Sequence, residues 1–88
     1  MSYEWDEAKR LSNLRKHGVD FTDVEEFDWD VAVYDTDPTD GEDRFIALGP
    51  FRGKIHVVVF TLRGVTTRII SARKADKRET RRYEKEAY

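Results

Sequence analysis

The chain is 88 residues long with a mass of 10.4 kDa, which predicts one domain (1–88) with one modest core and no room for a deeply enclosed cofactor. Hydrophobic and charged residues each make up 39%, there is no cysteine, and no apolar run approaches the ~18 residues of a membrane-spanning helix; disulfide frameworks, thiolate nucleophiles, cysteine zinc sites and membrane spans are therefore excluded. The formal charge of −2 averages two opposed regions: residues 20–43 hold eleven acidic residues and no Lys or Arg, while the remaining 64 residues hold 16 basic and 7 acidic ones. Clustered cations of that kind point to a polyanion-binding face.

The first six residues, Met1 to Asp6, show neither the basic start nor the apolar stretch of a signal peptide, so a cytoplasmic location is expected. Residues 6–17 read as a helix with Asp6 as N-cap and Gly18 at the left-handed C′ position. Its apolar side is thin (Ala8, Leu11, Leu14), whereas Asp6, Lys9, Asn13 and Lys16 recur at three- and four-residue spacing along one stripe, with Arg10 and His17 beside it. Thr22 is placed to cap a short second helix from Asp23 to about Phe27, which would bury Val24 and Phe27. Val31–Tyr34 and Arg44–Leu48 read as strands, separated by an acidic loop and followed by a turn at 49–53. Lys54–Leu62 is apolar on both faces, as a central strand is. Arg63-Gly64 then makes a hairpin turn into a returning strand, Val65–Ala72, and Ala75 to about Ala87 forms a last helix whose apolar contribution is only Ala75, Tyr83 and Ala87. The expected fold class is α+β: an antiparallel sheet of about four strands with two N-terminal helices and a C-terminal helix.

Several chemistries fail on spacing. In the loop at 35–43, taking Asp35 as position 1 of a calcium loop puts Asp40 where Gly is needed and Ile46 where Glu is needed. Two histidines alone do not make a transition-metal site, and no P-loop, nucleophile elbow or dinucleotide fingerprint is present, so no metal and no cofactor are expected. Metal-free RNA cleavage asks for less: a base for the 2′-hydroxyl proton, cations for the charged phosphorane, and an acid for the leaving 5′-oxygen. His17 has the kind of side chain that suits proton transfer, and Lys16, Arg68, Arg73 and Lys74 can stabilise an oxyanion. His56, which shares its alternating face with core-directed Val58 and Phe60, reads as a core histidine. Arg68, inside an apolar strand, needs a partner, a solvated face or a polyanion, and a carboxylate such as Glu42 or Asp43 is a candidate partner. Lys74, Arg78, Arg81 and Lys85 recur at +4, +3 and +4 as a basic stripe on the last helix, and Trp5, Tyr34, Phe51 and Tyr83 are candidates for base stacking.

Trp5-Asp6 with Lys9, Asn13, Lys16-His17-Gly18-Val19 and Phe21 resembles the N-terminal signature of the BrnT toxins. Glu42-Asp43-Arg44 with Gly49, then Val57–Thr61, Arg63-Gly64, the run Arg68–Ala75, and Glu79, Arg82 and Tyr83 resemble the rest of that pattern, so the likeness covers nearly the whole chain. The resemblance implies a RelE-like α+β fold and a ribonuclease toxin of a type II toxin–antitoxin pair that halts translation. It further implies a BrnA-like ribbon-helix-helix antitoxin in a 2:2 complex, which reaches operator DNA only through the antitoxin; RNA, free or on the ribosome, is the substrate, and no membrane is involved. Carried onto this chain, Lys16, His17, Arg68, Arg73 and Lys74 are the catalytic candidates, with Arg73 and Arg68 on the scissile phosphate and His17 or Lys16 in proton transfer. Lys9, Arg63, Arg78, Arg81 and Tyr83 are the RNA-binding candidates. The acidic segment 20–43 would face away from RNA or toward a basic segment of the antitoxin. The alternative reading is a non-catalytic module that binds a partner or nucleic acid within a repressor complex.

Overall fold

The computed structural model describes residues 2–37 and 43–87. In chain order these form β1 (Ser2–Trp5), α1 (Glu7–His17), a 3-10 turn (Phe21–Glu26), β2 (Val33–Asp37), β3 (Arg44–Phe51), β4 (Lys54–Arg63), β5 (Thr66–Lys74) and α2 (Lys77–Glu86). The architecture is α+β, but the sheet has five strands in the order β1-β5-β4-β3-β2 and is mixed, because β1 runs parallel to β5. The expected four-stranded antiparallel sheet is corrected by β1, whose four residues are too short to show a period and which exists through its partner, Tyr3 beside Thr67 and Trp5 beside Ile69.

The predicted first helix is present, with the Asp6 carboxylate accepting from the Lys9 N–H and Gly18 at φ 70°. The second is a 3-10 turn rather than an α-helix, and its cap is Asp20, whose side chain accepts from the Thr22 N–H, rather than Thr22. Val24 and Phe27 are buried as expected. β3 runs through the predicted turn to Phe51, leaving a two-residue reversal at Arg52 (φ 50°) and Gly53 (φ 79°). Pro50 is tolerated there because β2 has already ended: the Pro50 carbonyl faces away from β4 and accepts from the Asp28 N–H, so the missing N–H falls on a local edge. The acidic loop's Asp40 and the Arg68-partner candidate Glu42 lie outside the described residues.

Cross-strand register sorts the sheet into two faces. Phe45, Ala47, Phe51, Val58, Phe60, Ile69 and Ala72 point to one, where Phe21, Val24 and Phe27 of the 3-10 segment close a main core. Ile46, Leu48, Ile55, Val57 and Val59 point to the other, where Ala75 and Tyr83 cover part of it. β4 is therefore apolar on both faces because one is covered and the other covered in part. His56 belongs to the main-core face, 9% exposed, edge-on to Phe51 and with Nδ1 at 3.0 Å from the Lys54 carbonyl.

α1 is turned the opposite way from its apolar pattern. Leu11 (43% exposed) and Leu14 (37%) look outward, and the one buried residue of the helix is Asn13. β1 pairs with β5 only as far as Ile69, so beyond it the outer edge of β5 needs hydrogen-bond partners. Asn13 supplies them: its Oδ1 accepts from the Ala72 N–H (3.2 Å) and its Nδ2 donates to the Ala72 carbonyl (2.8 Å) and to the Val19 carbonyl (2.9 Å). One amide side chain thus continues the sheet edge and pins α1 and its outgoing loop to it.

Candidate nucleic-acid interface

Between Val59 and Phe60 of β4 the register jumps from Ser71 to Ile69, so Ile70 is the extra residue of a β-bulge in β5. Residues 68 and 73 are five apart and would face opposite ways in a regular strand. The bulge resets the alternation. Arg68, Ser71 and Arg73 pair with Thr61, Val59 and Val57, which share a face of β4, so all three look out on the face that α2 partly covers. Arg63, paired with Thr66 at the end of β4 rather than in the turn, belongs to the same face; the turn itself is Gly64-Val65.

Ser71 also lines a shallow groove of about 180 Å³ along the β5 edge, where Lys9, Ser12, Lys16 and His17 of α1 stand opposite Ile70 and Ser71. Lys9, Lys16 and His17 are exposed, and the last turn of α1 gathers Arg15, Lys16 and His17, favourable at the negative end of the helix dipole. Ser71 thus borders the α1 groove and shares its sheet face with the two strand arginines. Lys74 does not join them. Paired with His56, it takes the opposite face and lines, with Lys77 and Arg81, a separate groove of about 660 Å³ at the start of α2. Arg78 is exposed on α2.

Both β5 arginines are held by carboxylates. Arg68 donates to Glu4 Oε2 at 2.6 Å, which corrects the expected pairing with Glu42 or Asp43: the parallel partner strand places Glu4 directly beside it. Arg73 makes a two-pronged pair with Glu79 (2.8 and 2.9 Å), and Glu79 also accepts from the Asp76 N–H to complete a capping box for α2. The Arg73 hydrogen bonds hold the Glu79 carboxyl below the usual carboxylate range, and Glu79 in turn raises Arg73. Each arginine is oriented by the carboxylate it pairs with.

Tyr83 is corrected as a base-stacking residue. Its ring is 7% exposed against Leu48 and Val57, and its hydroxyl donates to the Val31 carbonyl. Phe51 is likewise buried. Of the aromatic candidates, Trp5 is half-buried with Nε1 donating to Glu7, and Tyr34 is exposed with its hydroxyl donating to the Trp29 carbonyl. Arg82, in contact with Asp35, and the Tyr83 anchor tie α2 down more firmly than its composition suggested. Asn13, Glu4, Glu79 and the Ile70 bulge were missed as site-shaping features. Two had a signal: Asp76-x-x-Glu79 is a capping-box spacing, and Asn13 sat within the polar stripe. Of the acidic segment, Asp35 and Asp37 lie on β2, at the sheet edge opposite β1 and α1. Among the described residues no three His, Asp or Glu side chains group as metal ligands, and no helix is long and apolar enough to cross a membrane.

The α+β sheet thus carries carboxylate-paired arginines on one face and a lysine–histidine groove at its edge. The family model for the BrnT ribonuclease toxin of type II toxin–antitoxin systems matches residues 5–79, and the chain belongs to that family. A search of curated proteins finds no match. Family membership makes an antitoxin its partner.

Proposed function

We propose that the 88 residues act as one RelE-like, cytoplasmic toxin domain that cleaves RNA without a metal ion, thereby stopping translation, and that a ribbon-helix-helix antitoxin neutralises it in a 2:2 complex that represses the operon. The observation that supports this reading is the Ile70 bulge, which puts Arg68 and Arg73 on one face with Ser71, a residue that lines the groove holding Lys9, Lys16 and His17. Arg68 and Arg73 exchange Glu4 and Glu79 for the non-bridging oxygens of the scissile phosphate. The 2′-oxygen attacks phosphorus as His17 or Lys16 moves its proton. The bond to the 5′-oxygen breaks, that oxygen takes up a proton, and a 2′,3′-cyclic phosphate remains. The arginines stabilise charge that is greatest in the phosphorane, an effect worth roughly 10²- to 10³-fold per donor. Lys9, Arg63, Arg78 and Arg81 extend the phosphate track, and Lys74 serves it from its separate groove instead of the scissile centre.

The test is RNA cleavage in excess EDTA by the purified chain beside folded Arg73→Ala, Arg68→Ala and His17→Ala variants. Cleavage by wild type that falls at least ~100-fold in Arg73→Ala supports the reading. Cleavage that needs added magnesium refutes its metal-free part, and cleavage indifferent to Arg73 and Arg68 refutes the site. If neither free nor ribosome-bound RNA is cut, the non-catalytic module replaces it.

A further inference from the structure

A helix normally turns its apolar residues to the sheet it packs on. α1 does the reverse. Asn13 points at β5, and at about 100° per residue Leu11 lies roughly 160° away around the helix, with Arg15 and Ala8 on one side of it and Glu7 and Leu14 on the other. Ala8, Leu11, Leu14 and Arg15 are all exposed. Arg15 makes no hydrogen bond or ion pair among the described residues, whereas neighbouring Glu7 and Arg10 are already paired with each other. The outward face of α1 is therefore a short apolar strip beside an unopposed positive charge.

We infer that this face seats an amphipathic helical segment of the antitoxin, with apolar residues at three- and four-residue spacing against Leu11 and Leu14 and a carboxylate against Arg15. The inference rests on the toxin–antitoxin reading for the partner's existence, and on the structure for its place. Charge complementarity selects an acidic-flanked segment. Two leucines and an alanine are far short of the ~800 Å² per partner that a stable self-association buries, so a second copy of this chain does not suit the strip by itself, whereas an antitoxin adds contacts elsewhere. The groove of Lys9, Lys16 and His17 lies on another side of the same helix, so a segment seated here leaves it open. Docking and blockage of the site are separable functions.

The test uses the full chain with the antitoxin from the neighbouring reading frame, and compares wild type, Leu11→Glu/Leu14→Glu and Arg15→Glu for antitoxin affinity, RNA cleavage without antitoxin, and mass in solution. The double variant is expected to bind antitoxin at least ~30-fold more weakly, as a lost hot spot does, and Arg15→Glu several-fold more weakly, while both cut RNA like wild type. Should the double variant misfold, Arg15→Glu restored by a Lys on the partner carries the test. Wild-type affinity in both variants overturns the inference. So does a free chain that is dimeric in wild type and monomeric in the double variant, which assigns the face to a second copy. If wild type fails to cut RNA yet the variants still lose the antitoxin, the docking face stands and the nuclease reading falls.

Discussion

Replacing Asn13 tests whether one amide holds the helix that carries Lys9 and Lys16 against the strand that carries Arg68 and Arg73. Asn13→Ala removes three hydrogen bonds and leaves both backbone groups of Ala72 without their partner in a buried setting. At about 0.5–1.5 kcal/mol net per bond the loss is roughly 2–4 kcal/mol, and the better helix propensity of Ala returns about 0.5, leaving about 2–3 kcal/mol. That is a large share of the ~5–15 kcal/mol typical of a domain and corresponds to a fall in Tm of roughly 10–20 °C. Asn13→Asp discriminates further. The new carboxylate keeps the acceptor for the Ala72 N–H but faces the Ala72 and Val19 carbonyls with no proton to offer. Its folded pKa must therefore lie above its unfolded value of about 3.9. A raised carboxyl pKa costs stability as pH climbs from the unfolded value through the folded one. Asn13→Asp should thus be less stable than Asn13→Ala at pH 7, and the gap should close below about pH 4. Urea denaturation at several pH values measures both. A cost below about 1 kcal/mol for Asn13→Ala, or equal stability of the two variants at pH 7, would refute the clamp.

Two further predictions concern packing and charge. Gly49→Ala should cost about 1–3 kcal/mol in urea denaturation, because the added Cβ would sit 2.9 Å from Phe27 Cζ and 3.1 Å from Ala32 Cβ, inside a packed core. Glu79→Gln should lower Tm modestly at neutral pH, by the equivalent of about 1 kcal/mol. Since Arg73 depresses the Glu79 carboxyl, that contribution is full above its unfolded value of about 4.3 and is lost as pH falls through the folded value, so the wild-type and Gln curves of Tm against pH should converge in acid.

Local rules were enough for what local chemistry decides. Asp6 and Gly18 bound α1 because a cap carboxylate and a left-handed glycine satisfy the helix ends whatever surrounds them. The two-sided apolar run of β4 announced a covered central strand, and the BrnT motifs, being residue patterns, were legible without coordinates. Tertiary structure alone decided the rest. β1 is a strand only because β5 has an open edge beside it, and its arrival places Glu4 rather than a loop carboxylate on Arg68. The face that Arg73 takes depends on whether Ile70 is counted in the ladder, a one-residue matter of register that side-chain alternation cannot reveal. The direction of α1 was set by hydrogen bonding: the backbone of Ala72, left without a strand partner at the sheet edge, needed an amide more than that edge needed two leucines, so Asn13 turned in and Leu11 and Leu14 turned out.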